Sequence, residues 1–355
     1  MFLSSTNFYQ INAMKNNIIK YFAAAALCTL VFACNNPDKN KAENKNTGQS
    51  KGATVNVPSF NEDSAFLFVS RQTDFGPRVP NTAAHANCAL WLEETLKKYT
   101  GNVVVQQAKV RAYNGVLLNM KNIIASFNPG TPGRVILCAH WDSRPYADWD
   151  EDESKHRTPI DGANDGASGV GVLLEVARII STHKLNTGVD IILFDTEDYG
   201  EPQDDNNEYR EDNWGLGSQY WSKNPHVPNY KANYGILLDM VGVENANFTK
   251  EGFSMQYAPD VVNKVWEAAS RLGYGNYFSA EQTAPITDDH YYINKISGIP
   301  TIDIIHHDSQ TRSGFYKFWH TTGDNIGNVN KNALKAVGQT LLTVLYEESA
   351  ALSQQ

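Results

Sequence analysis

Three carboxylates crowd into the last four residues of "VDIILFDTED" (Val189 to Asp198): Asp195, Glu197 and Asp198. The residues before them read as a buried strand, so a core element ends in concentrated negative charge. The pattern recurs. His140 and Asp142 close "RVILCAHWDS", and Asp239 sits in "YGILLDMVG". Asp165 lies in the glycine-rich turn "DGANDGASG" before a helix-like segment, and "FWHTTGDN" supplies His320. Acids and imidazoles gathered at one place repel one another or stay protonated unless a cation holds them. Mixed oxygen and imidazole donors suit zinc, and three protein ligands with an open position make such a site catalytic. Each residue alone has a plainer explanation: His140 as a satisfied core histidine, Asp165 as a helix N-cap, Asp195 as an arginine partner. Their joint occurrence favours a metal. His306 and His307 are neighbours on a strand and point to opposite faces, so neither is assigned to the site.

These residues need elements that bring them together. Apolar residues recur at helical spacing in Ala83 to Tyr99, and Arg134 to Ser143 reads as a buried strand. A helix is expected from Ala167 to Ile180, then the strand that opens this section. A long acidic loop (Tyr199 to Asn213), a strand (Tyr234 to Gly242) and the helix "APDVVNKVWEAASRLG" follow. A strand from Ile299 to His307 and a helix from about Lys331 close the chain. This alternation predicts a single-domain α/β sandwich, its central, mostly parallel mixed twisted sheet flanked by helices. Ligands of such sheets bind beyond the carboxyl ends of the strands, where the acids and histidines fall.

The whole chain narrows the function classes. It has 355 residues, 41% hydrophobic and 19% charged, with a formal net charge of -9 and its Lys and Arg scattered. No basic stripe is present to neutralise phosphates, which argues against nucleic acid as a partner. Four cysteines without a Cys-x-x-Cys pair argue against a disulfide scaffold or a structural zinc site. Residues 1–33 read as a secretory signal segment with Met14 as its expected start: Lys15 and Lys20 precede an apolar stretch ending in a small residue and Cys34. Residues 34–56 are polar and lack aromatics, the composition of a tether. Residues 57–355 are expected to form the catalytic zinc domain.

Taken in order, "AHWDS", "GANDGASGVGVLLEVAR", "ILFDTED", "GSQYW", "LLDMVG", "TDDH" and "FWHTTGDN" resemble the zinc-dependent aminopeptidase clan, and within it the glutaminyl cyclases (glutaminyl-peptide cyclotransferases) of animals and of Bacteroidetes-type bacteria. The resemblance covers nearly all of the chain after the tether. Clan aminopeptidases hold two zinc ions, at positions matching His140, Asp165, Asp198, Asp239 and His320. Cyclases bind one, which implies Asp165, Asp198 and His320 as ligands here and one Zn2+ per chain. Trp319, Asn325 and the Asp-Asp-His of "TDDH" resemble cyclases. The resemblance then implies conversion of N-terminal Gln of peptides and proteins to pyroglutamate with loss of ammonia. Glu197 would shuttle the proton, Asp239 and Asp288 would share protons, and Trp214 and Trp319 would wall the substrate pocket. For Trp214 the anchoring of a long loop is an equal alternative. Asp195, at pleat spacing from Glu197, is expected to share its face. Two departures stand out: the animal enzymes have Glu-Glu where this chain has Glu197-Asp198, and a His where it has Asp303. The runner-up reading is a di-zinc aminopeptidase, and the third a non-catalytic surface lipoprotein. Val31 to Cys34 resembles a bacterial lipobox, so the protein is expected to be an exported, periplasmic monomer that is lipid-anchored at Cys34 and otherwise makes no contact with the membrane.

Overall fold

The computed structural model describes residues 55–131, 133–203 and 210–352. The signal segment, Cys34 and all but the last two residues of the tether therefore lie outside the described residues. Two helices come first, α1 (Glu62–Thr73) and α2 (Ala83–Lys97). The Asn61 and Thr82 side chains cap them by accepting the Ser64 and His85 backbone N–H groups at 3.0 and 3.2 Å, satisfying donors that a helix start leaves open. Strands β1 (Val103–Arg111) and β2 (Leu117–Phe127) follow. Then come β3 (Arg134–His140), α3 (Ala167–Thr182), β4 (Gly188–Phe194), α4 (Leu216–Lys223) and β5 (Tyr234–Asp239). The chain continues through β6 (Phe248–Lys250), α5 (Gly252–Tyr257), α6 (Pro259–Arg271), β7 (Phe278–Gln282), α7 (Asp289–Tyr292), β8 (Thr301–Ile305) and α8 (Lys331–Leu352).

Six strands form the main sheet in the order β1-β2-β4-β3-β5-β8. The pairs β3/β4, β3/β5 and β5/β8 are parallel, whereas β1/β2 and β2/β4 are antiparallel. This is the mixed, mostly parallel sheet expected from the alternation of apolar segments. Every residue of β3, β4, β5 and β8 is buried, because both faces are covered. On one face Val135, Leu137 and Ala139 join α1, α3, α6 and α8 in the larger core. On the other, Ile136 and Cys138 meet Phe194, Trp221 of α4 and Ile293. At the edge, β1 alternates half-buried with exposed residues, so no continuous apolar run marks it in the sequence, and β1 and β2 are absent from the sequence-based elements. A small parallel pair, β6/β7, forms a second sheet, with Phe248 of β6 bridged to His306 just beyond β8. Among the described residues no helix is long and apolar enough to cross a membrane.

The topology selects one edge of the sheet for function. From β3 the chain crosses by α3 to β4 on one side, then returns past β3 to β5 on the other. Reversal of winding at β3 leaves a crevice at the carboxyl ends of β3, β4 and β5. Helix α3 packs closely on the sheet beside it: a Cβ on Gly169 would lie 2.4 Å from the Leu238 carbonyl of β5.

Candidate metal centre and pocket

Asp165 is placed by its turn and not by helix capping. The N-cap of α3 is Gly166, at φ 95°, with no side-chain cap. A Cβ there would meet the Asp142 carbonyl at 2.8 Å and His140 Cε1 at 2.9 Å. Glycine therefore lets the turn press against the end of β3. The Asp165 backbone N–H donates to the Asp324 carboxylate at 3.0 Å, as does that of Asn164 at 2.8 Å. The Asp165 carboxylate then faces two histidines, with Oδ1 3.1 Å from His140 Nε2 and Oδ2 3.5 Å from His320 Nε2.

Two groups with metal-ligand chemistry share this carboxylate. Asp165, Asp198 and His320 form one, and His140, Asp165 and Asp239 the other; in each, the donor atoms lie within 4.8 Å of one another. His320 Nε2 is 3.2 Å from Asp198 Oδ1, and His140 Nε2 is 3.2 Å from Asp239 Oδ1. All five side chains are buried. Asp198 Oδ2 and Asp165 Oδ2 have no hydrogen-bond partner, and a buried carboxylate oxygen without a donor is costly. The donor set of two carboxylates and an imidazole fits zinc. The charge balance is strained without a cation. Burial, with Asp288 and Asp165 nearby, pushes the Asp239 carboxyl up to about 7 even though His140 opposes the rise. Burial likewise raises Asp198, with His320 opposing and Asp165 adding to the rise.

Glu197 is half-buried beside this centre. Burial pushes its carboxyl well up; His140 counters this, and Asp288, Asp198 and Asp289 reinforce it. The backbone N–H groups of Glu197 and Asp198 donate to the two Asp142 oxygens at 3.1 and 3.2 Å. Asp142 therefore orients the pair, a role that strand-end position alone does not reveal. Asp195 departs from the expectation that it shares a face with Glu197. Thr196 between them has φ 57°, which breaks the alternation of the pleat. The Asp195 carboxylate turns to α2, meeting His85 Nε2 at 2.8 and 3.0 Å and accepting the Lys121 backbone N–H at 2.6 Å.

Asp288 is the N-cap of α7, and Asp303 lies buried on β8 with neither carboxylate oxygen hydrogen-bonded. Burial, with Asp288 and Asp239 nearby, pushes Asp303 well above the usual carboxylate range, and burial raises Asp288 as well. His306 and His307, left out of the site by the sequence pattern, line a separate polar pocket of about 400 Å³ with Glu244 and Asp308.

A cavity of about 320 Å³ opens over His320, walled by Trp149, Trp214, Phe315 and Trp319. Trp319 stacks on the His320 ring at 3.7 Å between centroids, and Trp214 lies parallel to it at 6.3 Å. Trp214 lines the cavity and also rests against Gly200, where a Cβ would lie 2.0 Å from its ring. Glu201 ties the two ends of the acidic loop by accepting the Arg210 backbone N–H at 2.6 Å and the Asn213 side-chain amide at 3.1 Å. Trp149, Phe315, Arg144 and Asp148 are lining residues that the sequence pattern did not single out. They sit in irregular segments, where no periodicity marks a residue as facing a site.

Three comparisons bear on this geometry. The model of "Peptidase family M28" matches residues 122–345. A solved glutaminyl cyclase of Bacteroides thetaiotaomicron bound to N-acetylhistamine is 54% identical, covers 82% of this chain and 99% of its own, and superposes with a TM-score of 0.81. A Zn-dependent exopeptidase of Parabacteroides distasonis has the same identity, coverage and TM-score. Among curated proteins, aminopeptidase YwaD of Bacillus subtilis is 27% identical over 268 residues, which is 71% of this chain and 50% of that protein. The chain thus spans about half the length of that relative. By the extent of the match, this chain belongs to peptidase family M28.

Proposed function

We propose that the protein is a glutaminyl-peptide cyclotransferase that acts on peptides and proteins with N-terminal Gln and uses one zinc ion. The observation that carries the reading is the Asp165, Asp198 and His320 triad, with Glu197 beside it and a small tryptophan-walled cavity above it. A cyclase that is 54% identical over 82% of the chain supports the same reading. Zinc held by these three residues would supply Lewis-acid polarisation of the Gln side-chain amide. The residues of the chain account for the rest. Trp149, Trp214 and Trp319 surround a cavity that suits one uncharged side chain and exclude water from it. The α-amino nitrogen of the substrate forms a bond to its own Cδ, and the bond from Cδ to the side-chain nitrogen breaks. Glu197 takes the proton from the attacking amine and gives it to the departing nitrogen, so ammonia leaves with no net proton change at the enzyme. Asp239 and Asp288 hold protons beside that path.

One observation favours a second reading. The His140, Asp165 and Asp239 group offers a place for a second cation, as a di-zinc aminopeptidase requires. Incubating the purified protein with a Gln-initiated and a Leu-initiated peptide, with and without a zinc chelator, separates the two. The cyclase reading expects ammonia from the Gln peptide alone, lost on chelation, and one zinc per chain. Hydrolysis of the Leu peptide with two zincs per chain would establish the aminopeptidase instead, and a metal-free, inactive protein the non-catalytic reading. We further infer export and lipid attachment at Cys34, supported by the lipobox-like Val31 to Cys34; mass spectrometry of the mature N-terminus tests it.

A further inference from the structure

Arg144 and Asp148 are four residues apart, buried, and bonded fork to fork: Nε and Nη2 of the guanidinium each donate to a carboxylate oxygen at 2.8 Å. The remaining donors reach elsewhere. Nη1 donates to the Asp198 carbonyl at 3.2 Å and to Asp198 Oδ1 at 3.3 Å, and Nη2 also reaches the Glu201 carbonyl at 3.2 Å. The face of the guanidinium lies 4.8 Å from the Trp214 ring centroid. Asp148 in turn accepts the Gln203 backbone N–H at 2.9 Å, and its Oδ1 lies 3.6 Å from His320 Nδ1. His320 Nδ1 has no nearer partner.

Although both residues line the cavity, every Arg144 nitrogen is engaged by protein oxygens, so Arg144 has no donor left to anchor a substrate. The pair reaches two side chains of the triad: Arg144 bonds to Asp198, and Asp148 Oδ1 stands 3.6 Å from His320 Nδ1. Asp198 follows β4, and His320 lies between β8 and α8. A carboxylate behind the second ring nitrogen of a metal-binding histidine sets its tautomer and its aim. Asp148 stands in that place for His320. Because Arg144 occupies Asp198 Oδ1, it leaves Oδ2 as the oxygen free of protein partners.

We propose that Arg144 and Asp148 act together as a positioning unit that aims His320 and Asp198 at one cation. This rests on zinc being held by Asp165, Asp198 and His320. The unit also links that cation to the cavity wall, since the same pair grips Glu201, Gln203 and Trp214. An ammonium cannot reproduce the fork, so Arg144→Lys keeps the charge and loses the aim. Asp148→Asn keeps the shape and loses the charge behind His320.

The test equilibrates the purified full chain with graded chelator and reads zinc per chain for wild type, Arg144→Lys, Asp148→Asn and, as a control, the half-buried Lys155→Ala. Thermal midpoints and kcat and KM at saturating zinc are measured alongside. Both site variants are expected to release zinc at about tenfold or more lower chelator concentration, with kcat lowered more than KM is raised, while Lys155→Ala matches wild type. Zinc retention within twofold of wild type in folded variants overturns the proposal, even where the thermal midpoint falls. If Asp148→Asn does not fold, Arg144→Lys decides alone. If wild type itself holds no zinc, the proposed site fails and takes this inference with it; if wild type holds zinc and the variants hold it equally, only the inference fails.

Discussion

Seven described residues other than glycine have positive φ, and four of them are asparagines, which tolerate that region. The other three are Thr196, Met240 and His320. Thr196 precedes Glu197, Met240 follows Asp239, and His320 belongs to the triad, so all the backbone strain of this kind outside asparagine gathers at the site. Such residues each cost roughly 1–3 kcal/mol, and they end the strand geometry just where a side chain must turn. This explains what the sequence could reveal at this scale. Asp198 and Asp239 are legible because an acid at the end of an apolar run stands out, Asp165 because it sits in a glycine-rich turn, and His320 through the motif "FWHTTGDN". Asp195 is misplaced because a pleat count carried across Thr196 assumes a backbone that is not there. Asp142, Asp148 and Asp324 act by accepting N–H groups or backing a ring, and nothing in the spacing of loop residues announces that. Glu197 remains the residue on which turnover should depend most. Glu197→Gln is expected to lower kcat at least about a hundredfold while zinc content is unchanged, and wild-type turnover by that variant would remove it from the mechanism.

At the scale of elements, the buried parallel strands and the helices between them were readable because each is a continuous apolar run or a clear helical period. The antiparallel edge was not, since solvent exposure on β1 interrupts the apolar pattern. Helix α3 carries the most demanding fit. Its Gly169 lies against β5 and its Gly171 against Ala65 and Val69 of α1, and backbone in direct contact with backbone cannot give way as a flexible side chain can. Gly169→Ala improves helix propensity by up to about 1 kcal/mol, yet the Cβ would lie 2.4 Å from the Leu238 carbonyl and 3.0 Å from the Ala139 side chain. The clash should dominate, with a net loss of roughly 1–3 kcal/mol measurable as a lower urea midpoint. Because β5 leads directly to Asp239, zinc retention should fall too. An unchanged midpoint would mean that α3 can lift from the sheet at little cost.

For the whole molecule, acid resistance should depend on one clasp far from the metal ligands in sequence. Glu251 accepts the N–H groups of Phe253, Ser254 and Ile286 and meets His290 Nε2 at 2.9 Å. Although burial pushes its carboxyl up, these partners, His290 first, hold it down at about 2. A carboxyl held below its ordinary value stabilises the fold above its unfolded value of about 4.5, and that stabilisation is lost as pH falls toward 2. Its size is on the order of 3 kcal/mol. Glu251→Gln should therefore unfold at lower urea than wild type at pH 7, with the gap closing between pH 4.5 and 2; a gap independent of pH would show that the contribution is not ionic. Asp165 turns one oxygen toward each of two donor groups, so whatever neutralises it on one side weakens its hold on the other. A single two-faced carboxylate thus ties the two donor groups together, and neither can take up a cation without changing the pull on the other.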